Sequence, residues 1–154
     1  MNHSTDESLV DALPREIAER PALLLHKLGN QVLARAEGPL AALGLSGRQY
    51  VVLAVMDSDE PASQLELATM TGLLPAQVVP VLDELEARGL VERRRAESDR
   101  RRSVVRLTGD GRALLARADE LDRSLTDLMF GQLDPAVRAE LADTLRLALA
   151  RVRQ

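Results

Sequence analysis

The sequence predicts a mainly α-helical fold of the α+β class, in which six helices accompany one small β-hairpin. Apolar residues recur at helical spacing in six segments that follow Pro21. The period changes once, where the short β-capable runs Leu90–Arg94 and Val104–Leu107 flank a charged stretch, a pattern typical of a hairpin. The chain has one tyrosine and one phenylalanine. A core built from Leu, Val and Ala instead favours helices packed on helices.

Capping residues predict where the helices begin and end. The start signals, in chain order, are Pro21, the capping-box pairs Ser46–Gln49 and Ser63–Glu66, Pro75, Thr108 and Asp134-Pro135. Gly72 and Gly89 are expected to end the third and fourth helices. Gly38-Pro39 is expected to end or kink the first helix, because proline lacks the N–H that a helix interior requires.

Composition narrows the class of protein. A length of 154 residues with 45% hydrophobic and 29% charged residues predicts one folded domain. The chain has no cysteine, which excludes disulfides, thiolate metal sites and thiol redox switching. No apolar run approaches the roughly 18 residues of a membrane span, and the amino terminus lacks the order of a secretory signal. We therefore expect a cytoplasmic protein with no membrane partner.

Little in the sequence suits an active site. There are two histidines, His3 and His26, and neither a glycine-rich phosphate loop nor an HExxH-like spacing is present. An active site could also use a pair of carboxylates, but no two of the many acidic residues stand out as such a pair. An enzyme is one alternative to a binding protein, but the sequence does not favour it. We expect no catalytic residues, no metal and no cofactor.

Positive charge is concentrated in one segment. The chain carries a net charge of −4, yet residues 88–102 contain seven arginines against three carboxylates, a local charge of +4. Local charge decides whether a surface binds phosphate. This segment is therefore the first candidate for contact with a nucleic acid.

Residues 63–107 combine a short helix, a turn at Gly72, a second helix and a hairpin with a basic tip. A helix-turn-helix can place its second helix in the major groove of DNA, and arginines at a hairpin tip suit the minor groove. Asp99 is expected to hold the tip through a hydrogen bond to Arg101. The candidate DNA-contacting residues are Ser63, Gln64, Pro75, Ala76, Gln77, Arg93, Asp99, Arg100, Arg101 and Arg102.

These segments resemble the MarR family of bacterial regulators over roughly residues 20–150. The likeness is carried by the runs Leu85–Arg93, Asp99-Arg100-Arg101 and Val105–Gly111. The resemblance implies a homodimer held by terminal helices, two winged domains reading a palindromic operator, and a small effector, often an anionic phenolic compound, that weakens DNA binding. It divides the chain into an arm (1–20), dimerisation and pocket helices (21–57), a winged helix-turn-helix region (58–107) and carboxyl-terminal dimerisation helices (108–154).

The predicted recognition helix departs from the family's pattern, because its first turns read Pro75-Ala76-Gln77-Val78-Val79-Pro80 instead of offering Ser, Thr or Arg. Gln77 is suited to adenine, Pro80 is expected to kink the helix or open one turn, and Glu84 adds negative charge. We expect wing contacts and DNA shape to supply more of the specificity than usual.

Candidate effector-binding residues are polar groups near the first two helices. They are Arg20, His26, Asn30 and Arg48, with Arg15 in the arm as a weaker candidate. His26 and Asn30 lie one turn apart and share a helix face. The alternative for His26 is a histidine that only packs at an interface.

The sequence therefore predicts a DNA-binding transcriptional repressor that acts as a homodimer and responds to a small aromatic acid or phenol. The alternative from another class is a winged-helix protein-interaction module that has lost DNA binding, which the apolar recognition helix favours.

Overall fold

The structure, a computed structural model, describes residues 14, 19–57, 62–95 and 103–152. In chain order its elements are α1 (Pro21–Ala42), α2 (Gly47–Val55), α3 (Gln64–Thr71), α4 (Pro75–Ala87), β1 (Val91–Arg95), β2 (Ser103–Leu107), α5 (Gly109–Phe130) and α6 (Pro135–Val152). The predicted mainly helical α+β fold is confirmed.

The capping signals act as the sequence predicts. Ser46 Oγ accepts from the Gln49 backbone N–H at 3.2 Å, and Gln49 Oε1 accepts from the Ser46 N–H at 2.9 Å. Ser63 and Glu66 form the same reciprocal pair at the start of α3. Gly72 ends α3 with φ at +72°, a left-handed conformation that glycine adopts without steric cost. The Ser46–Gln49 and Ser63–Glu66 pairs each satisfy N–H groups that the start of a helix leaves unbonded.

Gly38-Pro39 was expected to end or kink the first helix, and the expected end is wrong, because α1 continues to Ala42. Pro39 has no N–H to donate, but the residue after it, Leu40, is 4% exposed and belongs to the core. The Leu40 carbonyl also accepts from the backbone N–H groups of Leu43 and Leu45, each at 2.9 Å. Burial of Leu40 favours one more helical turn over an early stop.

One core joins the amino-terminal helices, the helix-turn-helix and the start of α5. Its fully buried side chains include Leu53, Leu67, Leu82, Leu85, Leu115, Val52, Val78, Val91 and Val105. The hairpin closes one side of this core, with β1 and β2 antiparallel and Val91 opposite Leu107. The backbone of Ala62 also bonds in both directions to Val105, so the approach to α3 lies along β2.

The hairpin and α5 meet at a tight junction. Thr108 Oγ1 accepts from the Gly111 N–H at 3.0 Å and donates to the Gly89 carbonyl at 2.6 Å. A Cβ atom added at Gly111 would lie 2.0 Å from the Leu90 carbonyl oxygen. The first turn of α5 therefore packs directly on the backbone that leads into β1.

The terminal helices leave apolar side chains uncovered. None of the described residues of α6 is buried. Large exposed apolar side chains of α1, α5, α6 and the α5–α6 turn are Leu23, Leu24, Leu25, Leu33, Leu128, Leu133, Val137, Leu147, Leu149 and Val152. The outer faces of the terminal helices are therefore not covered within one subunit.

Among the described residues, no single helix is long and apolar enough to cross a membrane. Within the described ranges, α3 and α4 taken together are long and apolar enough, but they are bent by 110° with respect to each other.

Candidate nucleic-acid interface and ligand cavity

The second helix of the helix-turn-helix, α4, has one buried face and one exposed face. Val78, Val81, Leu82 and Leu85 are buried in the core. The exposed side chains Ala76, Val79, Pro80 and Asp83 recur three and four residues apart, so they share the opposite face. This exposed face is where a recognition helix would meet base edges.

All three carboxylates of α4 have partners within the protein. Arg93 on β1 forms ion pairs with Asp83, at 2.5 Å, and with Glu86. Gln49 on α2 donates its side-chain N–H to Glu84 at 2.8 Å, although Gln49 itself is buried. The negative charges of α4 are thus offset or hydrogen-bonded, and its first turn contains no acidic residue.

Arg93 was predicted to contact DNA, and the structure gives it partners inside the protein. Burial acts to lower the pKa of its guanidinium, but the hydrogen bonds that the guanidinium donates to Asp83 and Glu86 outweigh burial and raise that pKa. Its backbone N–H also donates to Glu86 at 3.1 Å. In the folded protein Arg93 fixes the root of the hairpin against α4.

The other predicted DNA-contacting residues fall into two groups. Gln77 Oε1 accepts from the Leu74 N–H at 3.0 Å and Ser63 caps α3, while Gln64 is half-buried and Pro75 and Ala76 are exposed. Asp99, Arg100, Arg101 and Arg102 lie outside the described residues, so the predicted Asp99–Arg101 hydrogen bond stays a prediction. Within the described part of the hairpin, Arg94 and Arg95 are exposed.

A cavity of about 330 Å³ opens between α1, α2 and α5. Its lining residues are Arg35, Ala36, Pro39, Leu40, Tyr50, Ala118, Leu121, Asp122, Ser124, Leu125 and Leu128. Most of this wall is apolar, with a few polar groups from different helices, which is typical of a small-molecule site. Arg35 is the cation among these lining residues.

Tyr50 is anchored at the cavity wall by α5. Its hydroxyl donates to Asp119 Oδ1 at 3.1 Å. Burial, the nearby charge of Asp122 and the hydrogen bond to Asp119 all raise the pKa of Tyr50. The phenol therefore stays neutral at physiological pH and acts as a hydrogen-bond donor.

This environment predicts an unusual alkaline titration. Tyr50 is the single tyrosine of a chain without tryptophan, so its ultraviolet absorbance is observed without overlap. We expect no phenolate signal near pH 10, the usual range for tyrosine, until the protein unfolds. Above that pH the unfolded chain releases a proton that the folded chain keeps, so stability should fall as pH rises.

Asp119→Asn provides the control for this titration. It keeps a hydrogen-bonding side chain but removes one charge, so Tyr50 should ionise at lower pH than in the wild-type protein. Phenolate absorbance that appears near pH 10 in the wild-type protein, with circular dichroism still native, would contradict the assignment.

None of the predicted effector residues within the described chain lines this cavity. His26 and Asn30 bond to each other, with 3.1 Å between Asn30 Nδ2 and His26 Nε2, and both are exposed. Arg20 precedes α1 and Arg48 is an exposed residue of α2. Arg15 lies outside the described residues. Sequence reasoning missed Arg35 and Tyr50, although the rarity of aromatic residues was a signal for Tyr50.

Comparison with known proteins defines the family. A family model described as "MarR family" matches residues 43–102, a range that begins directly after α1 and includes β1. The regulator CouR of Rhodococcus jostii RHA1, solved with p-coumaroyl-CoA, is 32% identical, with 86% of this chain and 94% of that chain covered and a TM-score of 0.80. This chain belongs to the MarR family. Its winged helix-turn-helix fold, predicted from the sequence, is confirmed, and MarR-family proteins regulate transcription.

Two further relatives have descriptions that bear on function. The repressor NicR of Pseudomonas putida is 29% identical over 137 residues, covering 89% of this chain and 87% of NicR. BpsR of Bordetella bronchiseptica, whose DNA binding is regulated by 6-hydroxynicotinic acid, is 29% identical, with 88% and 97% of the chains covered and a TM-score of 0.76. A second CouR structure, described as a transcriptional repressor, contains a 23-mer DNA duplex.

Proposed function

We propose that this MarR-family protein is a homodimeric repressor that binds a palindromic operator and is released from it by a small aromatic or phenolic anion. The observation that carries the proposal is the placement of α2. In this helix Tyr50 lines the cavity, and its neighbour Gln49 is hydrogen-bonded to Glu84 of the recognition helix. One short helix thus contacts both the proposed effector and the proposed DNA-reading element.

The DNA-binding part of the proposal rests on α4 and the hairpin. The exposed face of α4 enters the major groove. The arginines of the wing, which is the hairpin of residues 91–107, contact phosphates or the minor groove. Arg100, Arg101 and Arg102 remain the proposed tip contacts, and Ser63, Gln64, Pro75, Ala76 and Gln77 the proposed contacts from the two helices. CouR, which has been solved with a DNA duplex, supports this arrangement.

Dimerisation is proposed from the uncovered terminal helices. No described residue of α6 is buried, so this helix gains little stability from packing within one subunit. Side chains such as Leu128, 71% exposed, and Leu147, 67% exposed, gain stability by packing on a second copy. A two-fold axis between the copies would present two recognition helices to a palindrome.

For the effector we propose the cavity between α1, α2 and α5. Arg35 offers a charge-assisted hydrogen bond to a carboxylate or phenolate, while Leu121 and Leu125 supply apolar contact for an aromatic ring. CouR with p-coumaroyl-CoA and BpsR with 6-hydroxynicotinic acid support an aromatic ligand class. Release requires the ligand to prefer the DNA-free conformation, by about 5-fold to 150-fold in typical allosteric proteins.

Arg35→Gln tests the cavity. Fluorescence anisotropy of a labelled duplex from the upstream region of the gene measures operator affinity, with and without a panel of aromatic carboxylates that includes 6-hydroxynicotinic acid. We expect a panel member to release DNA from the wild-type protein, and Arg35→Gln to keep operator affinity but to lose most of that response.

Arg48→Gln and His26→Ala are the matched controls, because both residues are exposed and neither lines the cavity. They should respond to the ligand as the wild-type protein does. A response that is lost in these two variants and kept in Arg35→Gln would transfer the effector site to the residues that the sequence suggested. A wild-type protein that binds no upstream duplex would refute the proposed function itself.

A further inference from the structure

We infer that the exposed face of α4 recognises thymine methyl groups in the major groove, with Val79 as the principal contact. This inference rests on the proposed function, since it concerns how the same helix selects its operator. It assigns direct base readout to a helix whose sequence suggested little of it.

The first two turns of α4 expose apolar side chains and contain no charged residue. Ala76, Val79 and Pro80 form one exposed face, and Val79 is 39% exposed. Leu74, which precedes the helix, is 66% exposed and extends the apolar surface. Asp83, the first charged residue on this face, lies beyond these turns and is paired with Arg93.

Hydrogen-bonding groups on this part of α4 are scarce or engaged. Gln77 is half-buried and its Oε1 already accepts from the Leu74 N–H at 3.0 Å. The bidentate contact of glutamine with adenine requires that oxygen and the side-chain NH₂ together, so the cap competes with it. Pro80 has no N–H at all. What the face offers to a base edge is therefore apolar contact.

In the major groove the matching apolar group is the C5-methyl of thymine, which no other standard DNA base carries. A methyl group packed on Val79 is removed from water, and the gain distinguishes a T·A pair from a C·G pair at that position. Recognition by methyl contact requires no hydrogen-bond donor from the helix.

The charges around this face favour DNA as the occupant. Arg94 and Arg95 on β1 are exposed, although Arg94 also forms an ion pair with Glu92. Residues 88–102 as a whole carry a local charge of +4 within an acidic chain. The carboxylates of α4 that would repel phosphate are held by Arg93 and Gln49. An apolar strip beside a basic segment complements base edges lying between two phosphate backbones.

The test replaces thymine by deoxyuridine, which removes the methyl group and leaves base pairing and phosphates unchanged. A duplex is first selected from a random library with the full-length protein, and each thymine of the selected half-site is then replaced in turn. Loss of one buried methyl should weaken binding about threefold to fivefold at one or two positions. Deoxyuridine elsewhere should have no effect.

Val79→Ala should abolish the deoxyuridine effect at the position that Val79 contacts, because the partner of the methyl group is then missing. Val51→Ala on α2 is the matched control, since Val51 is 40% exposed against 39% for Val79. It should leave both affinity and methyl dependence unchanged, and circular dichroism verifies that both variants fold.

The outcomes separate this inference from the function on which it rests. Specific duplex binding without any deoxyuridine effect, or an effect that persists unchanged in Val79→Ala, overturns the thymine contact while leaving the repressor intact. Selection that enriches no duplex refutes DNA recognition altogether and favours a winged-helix protein that binds another protein through this face.

Discussion

Replacing Gly111 by alanine is expected to lower the free energy of unfolding by about 3 kcal/mol, the upper end of the range for overpacking a tight site. The added Cβ would lie 2.0 Å from the Leu90 carbonyl oxygen and 3.3 Å from a methyl carbon of Leu107. The oxygen belongs to the backbone and has no side-chain freedom with which to move away. Either the start of α5 or the entry to β1 must shift.

Gly109→Ala is the control for this substitution, because a Cβ there meets nothing within 4 Å. Alanine at Gly109 should leave stability unchanged or raise it by up to about 1 kcal/mol, since glycine is the poorer helix former. Urea unfolding of both variants at one fixed protein concentration makes the comparison, because the stability of a dimer depends on concentration. Equal midpoints for the two variants would contradict the close packing of Gly111 on the Leu90 carbonyl.

Leu147→Glu is expected to dissociate the proposed dimer and to weaken operator binding by about 100-fold or more, because a monomer loses the avidity of two linked half-site contacts. Leu147 is 67% exposed on α6, so within one subunit the substitution should cost little. In a dimer interface it would bury a carboxylate without a partner. Sedimentation gives the oligomeric state, and anisotropy gives the affinity.

Leu147→Met controls for the position, since it keeps an apolar side chain of similar volume. This variant should remain dimeric and bind the operator as the wild-type protein does. Sedimentation of Leu147→Glu as an unchanged dimer would place the interface away from this part of α6.

Local signals made much of the fold predictable from the sequence. Ser46, Ser63 and Thr108 each hydrogen-bond a backbone N–H three residues ahead, and such contacts are encoded within a few positions of the chain. Local signals did not predict where α1 ends. Whether Pro39 stops a helix depends on what the next residue packs against, and burial of Leu40 is decided by distant parts of the chain.

The candidate site was less predictable for the same reason. The Tyr50–Asp119 bond joins residues 69 positions apart, and the Gln49–Glu84 bond joins residues 35 positions apart. Gln49 was recognised as a capping residue, yet its second role is visible only once α2 packs on α4. Arginines of the hairpin were predicted as DNA contacts from their charge and their place after the helix-turn-helix, whereas Arg93 has partners within the protein that the sequence pattern does not reveal.

The core of the winged helix-turn-helix is completed by side chains of α5. Leu115 and Ala118 of α5 are 2% and 0% exposed in the same cluster as Leu82 and Val105. A fragment ending at residue 107 would lose these two side chains and expose the surfaces that they cover. The winged helix-turn-helix region, residues 58–107, is therefore not expected to fold as an independent domain. A fusion protein that uses this DNA-binding region must include at least the first half of α5.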